Sequence, residues 1–91
     1  MTQVQLHLVV KSLRRLPYYV VDKLNAWVRS VEHYGLRETR KIPSYHDEPL
    51  KGTRSGQRSI RLTKAYRAIY TEHENGEIVI ILVQEVHKHD Y

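Results

Sequence analysis

The sequence predicts a single α+β domain over residues 1–91. Three observations carry that reading. A stretch near the start alternates apolar and polar residues, the next stretch repeats its apolar residues every three or four positions, and three strand-like stretches are grouped in the second half. Helices gathered early and strands gathered late belong to α+β proteins rather than to alternating α/β folds. A chain of 91 residues has no room for a second core.

The elements follow in order. Val4, Leu6, Leu8 and Val10 alternate with Gln3, Gln5 and His7, the period of a half-buried strand. Leu13, Leu16, Val20, Leu24, Trp27, Val28, Val31 and Tyr34 then form one helical stripe. Pro17 interrupts it, so a short helical turn should precede a main helix over residues 17–34, with Gly35 as a left-handed terminator. Residues 36–42 read as a short basic helix ending before Pro43. Residues 42–57 hold two prolines, two glycines and little periodicity, and so read as a long loop of the kind that is often functional. Ser59-Ile60-Arg61-Leu62 alternates again, with Arg61 facing away from the core. Residues 65–72 are a strand, Asn75-Gly76 signals a hairpin, and residues 78–87 form the most apolar, central strand. The expected architecture is an N-terminal strand and helices packed on one face of a mainly antiparallel four-stranded sheet. The other face should carry Arg61 and the C-terminal tail.

Composition narrows the function. The chain is 41% hydrophobic and 27% charged, which is globular rather than disordered. It has no cysteine, which excludes disulfides and thiolate metal sites and points to a reducing compartment. No apolar run has the length of a membrane span, and the first residues do not form a signal peptide, so a cytoplasmic protein is expected. The net charge of +5 favours polyanionic partners. Nine of the 15 Lys and Arg residues lie between Arg37 and Arg67, where the only acids are Glu38, Asp47 and Glu48. Six histidines raise the question of a metal, but His87-Lys88-His89 has no third ligand at a defined spacing, and no metal or other cofactor is expected. Trp27, at helical spacing, reads as core.

Four stretches together resemble toxins of the RelE/ParE superfamily, nearest to the HigB-like mRNA interferase branch. They are Glu48-Pro49-Leu50-Lys51-Gly52, Gly56-Gln57-Arg58-Ser59-Ile60-Arg61-Leu62, Ala65-Tyr66-Arg67-Ala68-Ile69-Tyr70 and Lys88-His89-Asp90-Tyr91. The resemblance covers about half the chain, from Pro43 onward. It implies a RelE-like microbial ribonuclease fold and the toxin half of a toxin–antitoxin pair. It further implies a metal-independent endoribonuclease that cuts mRNA on the ribosome. In that reaction the RNA 2′-hydroxyl attacks the adjacent phosphate, leaving a 2′,3′-cyclic phosphate and a 5′-hydroxyl. The implied partners are a cognate antitoxin, the ribosome with its mRNA, and operator DNA reached through the antitoxin; no membrane is involved.

That reaction needs a base for the 2′-hydroxyl proton, a cation for the phosphorane-like oxygens and an acid for the leaving 5′-oxygen. Arg67, in the family's Tyr-Arg pair, is the candidate for charge stabilisation, because guanidinium stays protonated and bonds two phosphate oxygens at once. His46 is the candidate base, since imidazole exchanges protons near neutral pH, though Asp47 alternatively pairs with it. Lys51 is a candidate for phosphate contact or for assisting the base. Tyr91 is placed to stack on a base, and either Asp90 or His89 to handle the leaving-group proton. His87, His89 and Tyr91 share a face if the strand continues. Lys51, Arg54, Arg58 and Arg61 form the expected RNA-binding set. Two other readings stand beside this one: a ParE-like DNA gyrase inhibitor on the same fold, and a basic binding module acting as a corepressor with its antitoxin.

Overall fold

The structure is a computed structural model and describes residues 1–88. The predicted site residues His89, Asp90 and Tyr91 lie outside the described residues.

Strand β1 (Thr2–Gln5) leads into helix α1 (Val10–Leu13), the main helix α2 (Tyr18–Tyr34) and helix α3 (Leu36–Arg40). Strands β2 (Glu48–Pro49), β3 (Arg58–Arg61), β4 (Tyr66–Asn75) and β5 (Ile78–Lys88) follow, with 3-10 turns at Pro43–Tyr45 and Gly52–Arg54. The sheet has five strands in the order β1-β5-β4-β3-β2. All neighbours pair antiparallel except β1, which runs parallel to β5 at one edge.

The expected four-stranded sheet is therefore corrected to a mixed sheet of five, with β4 rather than β5 at its centre. The extra strand is β2, only two residues long and half proline. Pro49 has no N–H to give a ladder, so it reads as loop in sequence, yet an edge strand tolerates it. Strand β1 is shorter than its alternation suggests. Val9 N–H donates to Leu6 O (3.0 Å), a turn that ends the strand and leaves Leu8 and Val10 exposed while Val9 is buried.

Helix α2 ends where predicted, at Tyr34, and starts one residue later than predicted, at Tyr18. Pro17 caps its start, and Gly35 closes it with N–H donating to Val31 O (2.8 Å). Gly35 has φ 89° and ψ 160°, a positive-φ region that is extended rather than left-handed helical and is open essentially to glycine alone. The α2 stripe Val20, Leu24, Trp27 and Val31 joins Ile60, Ala68, Tyr70, Ile81 and Val83 from the sheet in one core. The Trp27 and Tyr70 rings meet at 5.2 Å. Ile81→Val should cost about 0.5–1.5 kcal/mol, read as a lower urea midpoint, because one methyl is removed from a site with no solvent exposure. No helix among the described residues is long and apolar enough to cross a membrane.

The hairpin between β4 and β5 forms one residue later than the sequence signal. Asn75 pairs with Ile78 and ends β4, so Gly76-Glu77 make the two-residue turn, with Gly76 at φ 63°. Glycine at the first central position, followed by a residue without positive φ, is the type II′ pattern.

A bulge sets up the site. Ile69 pairs with Glu85 but Tyr70 pairs with Val83, so Gln84 is an extra residue in β5. Val83 and Val86 both face the helices, three positions apart, where strict alternation would place one of them outward. The slip turns Glu85 and His87 onto the outer face, away from the helices. In an unbulged strand in register with Val83 they would point into the core.

Candidate active site

The outer face carries a row of two arginines and a histidine across three strands. In the β3–β4 register Arg61 lies opposite Arg67, and in the β4–β5 register Arg67 lies opposite His87. Residues paired in this way share a face, with Cβ atoms about 4.5–5.5 Å apart. Their flanking residues Ile60, Leu62, Ala68 and Val86 are buried on the helix side, which fixes the row on the outer face. Two guanidiniums directly opposite one another repel, and an anion between them reverses the sign of that interaction.

Arg67 is held at the centre of the row. Its Nε donates to Ser59 Oγ (2.7 Å) and its Nη2 to Glu48 Oε1 (3.2 Å). Ser59 precedes Arg61 by two positions in β3 and is 2% exposed, so it forms a floor under the guanidinium. Glu48 reaches in from the edge strand, opposite Ser59, and its side chain is 62% exposed against 10% for that of Arg67. Arg67 Nη1 has no hydrogen bond among the described residues. The arrangement is a fixed guanidinium with donors to spare beside a solvent-accessible carboxylate, which suits a phosphodiester and a nearby hydroxyl.

The long loop closes the lower part of the same face. Arg54 bonds Glu85 and also donates Nε to Gln57 Oε1 (2.8 Å). Gln57 Nε2 donates to Gln84 Oε1 (2.7 Å), and Gln84 Nε2 to Thr71 Oγ1 (3.2 Å). These contacts carry residues 50–57 from the β2 edge across β3 and β4 to β5. Ile69, an outer-face residue, is only 4% exposed in consequence. The loop is thus an ordered strap beside the Arg61–Arg67–His87 row.

The other predicted residues are placed as follows. Lys51 is exposed at the start of the Gly52–Arg54 turn, with no ion pair among the described residues. His46 is exposed and sits at φ 43° and ψ 51°, a left-handed conformation uncommon for a side-chain-bearing residue. The alternative in which Asp47 pairs with His46 is corrected. The Asp47 side chain is 1% exposed and turns to the helix side. There it accepts from Arg58 Nε (2.6 Å) and from the Tyr70 hydroxyl, with Arg40 Nε 3.9 Å away. Arg58, expected in the RNA-binding set, is therefore bonded to a buried carboxylate across the sheet from Arg61 and Arg67. Its register partner is the core residue Tyr70.

Burial pushes the Tyr70 phenol upward, and the adjoining Asp47 carboxylate adds to the rise while Arg40 offsets part of it. The sign of the pH effect follows. In the unfolded chain this phenol ionises near pH 10, whereas in the fold it stays neutral to higher pH. Its contribution to stability is therefore whole below about pH 10 and is lost as pH rises further. Urea midpoints measured between about pH 8 and 11 should fall on the alkaline side, with a shallower fall in Tyr70→Phe.

Glu48 and Glu85 are the outer-face groups that sequence reasoning left without a role. Acids are scarce in the basic half of the chain, and Asp47-Glu48 are two of them side by side. In extended chain such neighbours face opposite ways, which was the available signal for Glu48. The three-residue spacing of Val83 and Val86 was the signal for Glu85.

The sequence matches no protein-family model and no curated protein. Its fold is nevertheless that of known toxins. The YoeB/ParE toxin from Agrobacterium tumefaciens aligns over 98% of each chain with a TM-score of 0.67 and 22% identity. The YoeB–YefM complex from Staphylococcus aureus covers 100% of this chain and 97% of that one, with a TM-score of 0.66 and 20% identity. The RelBE2 toxin–antitoxin complex from Mycobacterium tuberculosis covers 98% and 96%, with a TM-score of 0.63 and 16% identity. The chain thus has the RelE-like α+β toxin fold. None of these three is described as a HigB protein, and the narrower likeness to HigB stays with the sequence motifs.

Proposed function

We propose that this protein is the toxin of a toxin–antitoxin pair and a metal-independent endoribonuclease that cleaves mRNA on the ribosome. The observation that carries the reading is the Arg61–Arg67–His87 row with Glu48 bonded to its centre. Arg67 grips the scissile phosphate and stabilises charge that builds on its oxygens. Arg61 holds the same or the neighbouring phosphate. Glu48 takes the 2′-hydroxyl proton, so the base assigned to His46 from sequence passes to the carboxylate that touches Arg67. The 2′-oxygen then bonds to phosphorus as the bond to the 5′-oxygen breaks, and the leaving oxygen takes a proton from an acid on the β5 side. His87 stands there, and His89, Asp90 and Tyr91 follow it in sequence. Lys51 and Arg54 flank the RNA path, and Arg58 is assigned to structure. Shared architecture with antitoxin-bound relatives supports a cognate antitoxin that covers this basic face. The HigB-like branch remains the assignment of the motifs.

Primer extension on a translated message after induction tests the reading. New 5′-hydroxyl ends inside open reading frames, abolished by co-expressed antitoxin, are expected. Intact message with accumulating cleaved gyrase complexes would replace it with the ParE-like alternative, which makes no use of a carboxylate bonded to a phosphate-gripping arginine.

A further inference from the structure

We propose that Asp47 is a positioning residue that fixes Glu48 against Arg67 by rooting the edge strand in the core. This rests on the nuclease reading above. Strand β2 is poorly held by its own ladder, since it is two residues long and Pro49 has no N–H. Next to it Leu50 N–H donates to Gln57 O (2.9 Å), but His46 on the other side departs into a left-handed turn. What fastens the segment is the carboxylate of Asp47, bonded to Arg58 of β3 and Tyr70 of β4 and approached by Arg40 of α3. Arg40 Nε is itself buried without a hydrogen-bond partner and lies 3.9 Å from Asp47 Oδ2, while Arg40 Nη2 stands 3.8 Å from Glu72 Oε1.

Asp47 and Glu48 are adjacent in extended chain and point to opposite faces. Fixing one fixes the direction of the other. Displacing a reacting group by about 1 Å costs on the order of 10²-fold in rate, so an anchor one residue away controls turnover without touching RNA. Asn at this position keeps the shape but puts an amide donor where Asp47 presents an acceptor, leaving either the Tyr70 hydroxyl proton or the Arg58 Nε–H without its acceptor.

The test uses the full chain with Asp47→Asn and, as a milder change, Tyr70→Phe. Amide exchange at Leu50 reports whether the edge strand is docked, and amides of β4 report the global fold. Faster exchange at Leu50 with β4 still protected is expected in both variants. In single-turnover cleavage of ribosome-bound mRNA, the rate at saturation should fall about 10- to 100-fold with the half-saturating concentration changed less than about threefold. Asp47→Asn should add little further loss in a Glu48→Gln background, because the group it positions is already gone. Leu50 protection equal to the parent in both variants, or losses that add in full to Glu48→Gln, would overturn the proposal. If Asp47→Asn does not fold, Tyr70→Phe decides by the same readings. If the parent cuts no mRNA even on translating ribosomes, the nuclease reading fails by itself and Leu50 exchange still decides whether Asp47 anchors the strand.

Discussion

Arg67→Ala is expected to lower RNA cleavage about 10³-fold, the magnitude typical of removing a preorganised donor from developing charge. The guanidinium is already in place before RNA arrives, since Ser59 and Glu48 hold two of its nitrogens. No reorganisation is needed as charge grows on the phosphate, and that is the source of the large effect. The loss to the fold should be moderate and short of unfolding. Glu48 is mostly exposed and regains water, while buried Ser59 loses one partner at a cost of about 1–3 kcal/mol. Arg67→Lys should rescue poorly, because an ammonium cannot bond Ser59 and Glu48 and still present a fork to phosphate. Single-turnover rates beside thermal denaturation check this. A folded Arg67→Ala protein that retains more than about a tenth of its rate would remove Arg67 from the chemistry.

Much of this site was legible because alternation is a strong signal. Ile60 and Leu62 put Arg61 outward from alternation alone, whereas its pairing with Arg67 is set by the β3–β4 register, which alternation does not give. The helices were legible from the stripe that Trp27 anchors, and Gly35 marked the end of α2. What escaped was whatever departs from regular period. The edge strand escaped because a proline and two residues carry no pattern. The bulge at Gln84 escaped because one inserted residue changes the face of everything after it without changing composition. Arg58 illustrates the limit of charge counting. Its place in a basic run suggested RNA, while its strand parity, opposite to that of Arg61 three residues on, sends it to Asp47. Asp47 itself gave no apolar signal, since a buried carboxylate is visible only once its donors are in space. The fold was thus read from periodicity, whereas the pairing of acids with bases needed the tertiary arrangement.

That same distinction decides between two candidate bases. Glu48→Gln should reduce the cleavage rate by about 10²–10⁴-fold, the usual worth of a positioned proton acceptor, and His46→Gln by less than about threefold. The carboxylate lies 3.2 Å from Arg67 Nη2, so a phosphate bound by the same guanidinium brings its ribose hydroxyl alongside. The imidazole hangs from an exposed turn that precedes Asp47, and the two residues that follow it are both committed to other partners. Glutamine keeps the size of Glu48 and its bond to Arg67 through the amide oxygen, so a loss in Glu48→Gln reports proton transfer rather than collapse of the pair. The opposite pattern, a large loss in His46→Gln and a small one in Glu48→Gln, would return the role to the imidazole and leave Glu48 as a partner that merely holds Arg67 in position.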